Sequence, residues 1–154
     1  MPASTATIWD TIALEAEQES TLWAAALRPE EEREQLAVFS PLAAERFTLG
    51  IESIYEGYLL HYGRARLFSP ADRDAAVLLG DHLYAHGLVR ITALGDVEAV
   101  ERLAELLSLC AHLRAEGETG DGEAWAATVG SLGDGRPAAE AVERALVLHA
   151  ERVN

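Results

Sequence analysis

Apolar residues recur along this chain at the three-and-four spacing of helices, and nowhere do they alternate long enough to make a strand. A first segment, from about Thr5 to Leu27, carries Ile8, Trp9, Ile12, Leu14, Leu22 and Trp23 as its apolar positions. Pro29 then opens a short acidic helix, EEEREQLAVF, since proline suits the first helical position. Ser40-Pro41 opens a third helix reaching Tyr62, and Ser69-Pro70 a fourth reaching about Ala93. In both, a serine cap stands directly before a proline. Gly95-Asp96 begins a fifth helix through about Ala115. The loop EGETGDGE, with Asp121 as a candidate cap, leads into EAWAATVGSL; after GDGRP, Pro137 starts AAEAVERALVLHAERV. No internal repeat of fixed period is present. The pattern predicts an all-α protein, one single-domain helical bundle of about seven helices over residues 1–154.

Two helices carry the candidate chemistry. On the third, at about 100° per residue, Phe47, Ile51, Ile54, Tyr55, Tyr58 and Tyr62 share a stripe with His61 at its margin. Glu45, Glu52 and Glu56 stack opposite. Glutamates at helical spacing build di-metal centres in bundles, but the accompanying Glu-x-x-His pairs are missing, so this stripe reads as a solvated face. On the fourth, Val77, Tyr84, Leu88 and Ile91 make one apolar side and Leu78, Leu79 and Val89 another. A helix apolar nearly all round is expected at the centre of its domain. His82 and His86, four apart, lie on that second side, a spacing that brings two imidazoles within reach of one metal ion. The competing reading is a pair of hydrogen-bonded core or interface histidines. Gly80 marks close approach by a neighbouring helix.

Composition narrows the function classes. The formal net charge of −14 disfavours nucleic acid and anionic membrane as partners. All 12 basic residues are arginine, which excludes lysine Schiff-base and P-loop chemistry. The single Cys110 forbids an internal disulfide and fits a reducing compartment; with no signal-like N-terminus and no long apolar run, the expectation is a cytoplasmic protein without a membrane span. Cys110 and His112 point about 200° apart on one helix, so they do not form a thiolate–imidazolium pair. There is no nucleophile-elbow serine motif, no glycine-rich phosphate loop and no CxxC, and GETGDGE lacks the spacing of an EF-hand. Apolar surface on the first and fourth helices predicts an oligomer, most simply a dimer.

The order of certain pieces resembles the trans-polyprenyl diphosphate synthases. These pieces are ESIYEGYLLHYG at 52–63, AAVLLGDHLYAHGL at 75–88, ALGDVEAVERLAELLSLC at 93–110 and RAEGE at 114–118, with EAWAATVGSLGDG after them. In that family a helix ending in a sequence like LLHDD begins the first Asp-rich motif, and a helix such as AVLLGDYLLARA follows. The resemblance covers roughly residues 42–135 and implies an isoprenoid-synthase-like fold.

The departures govern what it implies for function. Tyr62 and Gly63 stand where the two aspartates would follow LLH, Ala65 and Arg66 occupy the region of the motif's third aspartate, and the chain ends before the place of the second Asp-rich motif. Those motifs hold the magnesium that draws off diphosphate, so neither magnesium binding nor catalysis is expected here. Arg64 and Arg66 fall near the family's diphosphate-gripping arginines; a cation at a helix C-terminus is the plainer reading. The resemblance therefore implies a small or regulatory subunit partnering a catalytic prenyl synthase. Phe47, Tyr55, Tyr58, Tyr62 and Tyr84, with His61 and Arg64, are its candidate ligand-contacting residues. Two other functions stay open: a helical homodimer that binds an apolar, isoprenoid-like ligand, and a metal-dependent enzyme built on His82 and His86.

Overall fold

The computed structural model describes residues 7–153. It consists of α1 (Ile8–Glu19), α2 (Thr21–Ala26), α3 (Thr48–Tyr62), α4 (Arg73–Ala93), α5 (Val97–Ala115), α6 (Asp121–Gly130) and α7 (Ala139–Ala150). Among the described residues there is no strand; two isolated bridges, Leu27 with Phe68 and Gly63 with Val153, tie loops to each other. The all-α expectation and the number of helices hold. No helix of the described residues is long and apolar enough to cross a membrane.

Several predicted boundaries move, each for a local reason. The first segment, whose Thr5 and Ala6 lie outside the described residues, breaks at Ser20. That residue is extended; its N–H donates to the Ala16 carbonyl, ending α1, and its side chain accepts from Trp23 N at 3.0 Å, starting α2. EEEREQLAVF is not a helix beyond one 3-10 turn at Glu30–Glu32. Its backbone is claimed elsewhere: Glu34 N donates to Arg66 O at 3.1 Å, and just before the segment Arg28 N donates to Leu67 O at 2.9 Å. Ser40-Pro41 makes a 3-10 turn, and α3 starts only at Thr48. For α4 the cap is Asp72, which accepts from Ala75 N at 2.8 Å, while the Ser69 N–H is spent on Ala26 O. Asp121 is not a cap but the first residue of α6, after Gly120 at φ 113.

The central helix is α3, not α4. Every residue from Gly50 to Leu60 is buried. By contrast α4 buries Leu79, Gly80, Leu83, Gly87 and Ile91 and leaves Leu78 56% and Val89 67% exposed. The two helices run antiparallel through two glycine pairs, Gly57 against Gly80 and Gly50 against Gly87. A β-carbon on Gly57 would sit 2.7 Å from Gly80 O, and one on Gly87 2.8 Å from Gly50 O. Side-chain-free surfaces at these positions let the two backbones meet. Gly80 thus has the close helix approach expected of it.

The glutamate stripe is the largest correction. Glu45 is exposed on a 3-10 turn, but Glu52 and Glu56 are fully buried and face Arg66, itself fully buried rather than a surface cation. Arg66 Nε donates to Glu56 Oε1 at 3.0 Å, and Nη1 donates to Glu52 and, at 2.7 Å, to Leu36 O. Glu56 also accepts the backbone N–H of Arg66 and of Leu67, at 3.0 and 2.7 Å, so it anchors the chain that leaves α3. The guanidinium lies 4.7 Å from the Trp9 ring centroid and 5.1 Å from that of Tyr55. Burial alone would ease its proton off; Glu52 and Glu56 outweigh that and hold it on more firmly than usual.

Candidate functional site

The aromatic stripe of α3 exists, and it is filled. Tyr55 and Tyr58 are fully buried, their ring centroids 6.4 Å apart, and Trp125 from α6 stands edge-on to both at 5.1 and 5.4 Å. Phe39 stacks on Trp125 at 5.5 Å. Tyr62 continues the stripe, half-buried, 4.9 Å from Tyr58. Tyr84 reaches the same end from α4, with His61 between the two: His61 stacks on Tyr84 at 5.1 Å and lies 5.7 Å from Tyr62. Phe47 is buried at the start of α3, with the Arg46 guanidinium over its ring.

Polar atoms of this aromatic cluster converge on α6 and α7. Asp121 Oδ2 accepts from Tyr58 Oη at 2.6 Å and from Arg114 Nη2 at 2.7 Å, and meets His149 Nε2 at 3.2 Å. Because a carboxylate only accepts, that His149 nitrogen carries the proton, and in the neutral ring Nδ1 accepts the Tyr55 hydroxyl at 2.7 Å. Asp121 Oδ1 accepts from Gly122 N. Burial pushes the Asp121 carboxyl up, but hydrogen bonds from His149, Tyr58 and Arg114 more than offset it and hold the group well below the usual range. Both phenols are pushed far up, chiefly by burial. The result is a relay of hydrogen bonds from half-exposed Arg114 to the innermost tyrosine. Gly122 leaves room for it: a β-carbon there would press within 3.0 Å of the His149 ring. Sequence reasoning missed His149; the available signal was its place four residues after buried Ala145 on the inner face of α7.

Helix α3 ends at Tyr62, within the ESIYEGYLLHYG stretch. His61 Nε2 pairs with Asp81 at 3.0 Å, and its carbonyl accepts from Arg73; burial lowers its basicity, and Asp81 only partly restores it. Gly63 is pinned by the C-terminal segment of the chain itself. Arg64 N donates to Arg152 O at 2.8 Å, Arg152 Nη1 donates back to Arg64 O at 3.1 Å, and Arg152 pairs with Glu34. A β-carbon on Gly63 would collide with the Arg152 carbonyl. The Arg64 residue is exposed.

The histidine pair lies apart from this cluster. The His82 and His86 rings are 4.3 Å apart, and His82 lies 5.5 Å from the Trp23 ring of α2. Burial, then the neighbouring His86, lowers the basicity of His82. Among the described residues no group of three or more His, Cys, Asp or Glu side chains is disposed to hold a metal ion; Glu15, which lines the same small cavity as the two histidines, is paired with Arg90.

Two cavities are relevant to ligands. A groove of about 920 Å3 lies between α6 and α7, walled by Ala126, Ala127, Val142 and Leu146 with Glu123 and Arg136 as charged lining residues. A smaller cavity of about 240 Å3 lies beside the end of α3 and includes Arg28, Leu59, Leu60, Arg64, Phe68 and Ser69 in its wall. Of the candidate ligand-contacting residues, Arg64 lines the second; Tyr55, Tyr58, His61, Tyr62 and Tyr84 line neither. No family model, no curated protein and no solved structure matches this chain.

Proposed function

We propose that this chain is a non-catalytic, polyprenyl-synthase-like protein with a reduced isoprenoid-synthase-like fold, acting as a partner subunit beside a catalytic prenyl diphosphate synthase. The observation that carries the reading is the end of α3. Where the resemblance locates the first Asp-rich motif stand Tyr62 and Gly63, and the chain's own residues 152–153 lie against Gly63 and the following Arg64. The two glutamates of the same helix, Glu52 and Glu56, are committed to Arg66. Ionising an allylic diphosphate depends on metal ions held by carboxylates, and residues 57–66 at this end of the helix contain no Asp or Glu to hold them. A partner role is supported by apolar side chains facing outward on α4, Leu78 and Val89.

The test is co-expression with a catalytic prenyl diphosphate synthase from the same source. A complex on size-exclusion chromatography whose product length differs from that of the catalytic chain alone supports the reading. Separate elution with unchanged products overturns it.

A second reading, a carrier of an apolar, isoprenoid-like ligand, has one observation in its favour: the α6–α7 groove, whose volume falls in the range of ligand pockets. Native mass spectrometry of freshly purified protein distinguishes it by a co-purifying lipid.

A further inference from the structure

We propose that the cavity beside the C-terminal end of α3 binds a small organic anion, a phosphate- or carboxylate-bearing molecule with a short aliphatic body. The chain has 26 acidic residues against 12 basic ones, so positive charge is scarce. Yet four arginines gather at this corner. Arg33 Nε donates to Arg28 O at 2.9 Å, Arg28 Nη2 to Ala65 O at 3.2 Å, and Arg152 Nη1 to Arg64 O at 3.1 Å. Arg152 is less basic than usual, first through burial and then through the charge of Arg28. Glu34 offsets Arg152, but among the described residues neither Arg28 nor Arg64 has an ion-pair partner, and the exposed Glu30, Glu31 and Glu32 of the adjoining turn pair with neither. Like charges collected without counter-charge raise the free energy of the folded chain, and a bound anion removes that cost.

The wall specifies the rest of the ligand. Arg28, Arg64 and the Ser69 residue give the cavity its polar lining, and Leu59, Leu60 and Phe68 give it an apolar one. Guanidinium groups meet phosphate and carboxylate through paired N–H donors. At about 240 Å3 the space lies below that of pockets for drug-sized molecules, which selects a head group with a few carbons rather than a long lipid. This inference does not depend on the subunit reading, because it concerns this chain alone.

The experiment is calorimetric titration of the whole protein with n-butyl phosphate and, separately, pentanoate, at ionic strength matched with sodium chloride. Saturable binding of either is expected, and the tighter of the two assigns the head group. Arg64→Gln, at an exposed position, weakens that binding about tenfold. Ala76→Phe, which fills the cavity, abolishes it, while Arg144→Gln on the exposed side of α7 leaves it unchanged; circular dichroism verifies that each variant is folded. The proposal is overturned if neither compound binds, or if Arg64→Gln and Ala76→Phe bind as the parent does.

Discussion

The carbonyl oxygen of Gly80 lies 2.7 Å from the point where a β-carbon on Gly57 would stand, so α3 and α4 meet backbone to backbone. The relation is reciprocal, with Gly57 O 3.0 Å from the corresponding point on Gly80. Alanine at Gly57 would improve helix propensity by about 1 kcal/mol. It would also force two backbones apart, and overpacking of that kind costs about 1–3 kcal/mol. Since the obstructing atom is backbone and cannot swing away, the clash wins and Gly57→Ala is expected to lower stability. Urea denaturation checks this against Gly135→Ala, where a β-carbon meets nothing within 4 Å. Equal midpoints for the two variants would refute the glycine-mediated contact.

Cys110 should behave as an inert thiol. It is fully buried, and its pKa is pushed up to about 11, first by burial and then by the charge of Asp121, against smaller opposing effects of Tyr58 and Arg114. Only about one part in a thousand is thiolate at pH 8, and thiolate is the reactive form. Labelling by a thiol reagent at that pH is therefore expected to follow the rate of opening of the fold and to become fast only in denaturant. Rapid labelling of the native protein would contradict this.

Arg66 is expected to be among the most sensitive positions in the chain. Arg66→Met keeps apolar bulk against Trp9 and Tyr55 but strands two buried carboxylates, a change that costs about 3–5 kcal/mol. Glu52→Gln still presents an oxygen to the guanidinium, and since Glu52 Oε1 has no partner to lose, its loss should be nearer 1 kcal/mol. Chemical denaturation of both variants decides the point. Similar losses in the two would mean that Arg66 acts through packing rather than through charge.

Helix class was legible in the sequence from its spacing of apolar residues, and the number of helices agrees because the loss of the Pro29 helix is offset by the break of the first segment at Ser20. Asp96 caps α5 with its side chain on Ala99 N, and Gly80 meets a neighbouring helix as expected. Which helix lies at the centre was not legible. A row of glutamates has the same periodicity whether it faces water or a buried arginine, and Arg66 sits in a loop that periodicity says nothing about. Likewise α4 is apolar on two sides, yet the side bearing Leu78 and Val89 is outward. Of the candidate site, the ring stripe could be read from α3 alone. Its polar partners could not: His149 is 94 residues from Tyr55, and Asp121 is 63 from Tyr58.

The Asp121 cluster should dominate part of the acid unfolding profile. Its carboxyl titrates below the ordinary value of 3.8 in the folded chain, because His149, Tyr58 and Arg114 donate to it. A depressed carboxyl contributes its full stabilisation above the unfolded value. As the pH falls below about 4, the unfolded chain takes up a proton that the folded chain refuses, and stability declines until the folded value is passed. One such proton changes stability by about 1.4 kcal/mol per pH unit. Asp121→Asn removes this proton: the variant is expected to be less stable than the parent at neutral pH, and its stability should fall less steeply below about pH 4 by that one-proton slope. Urea midpoints measured from neutral pH down to the acid transition test both. Parallel curves for parent and variant would show that Asp121 is not held as a carboxylate by these donors.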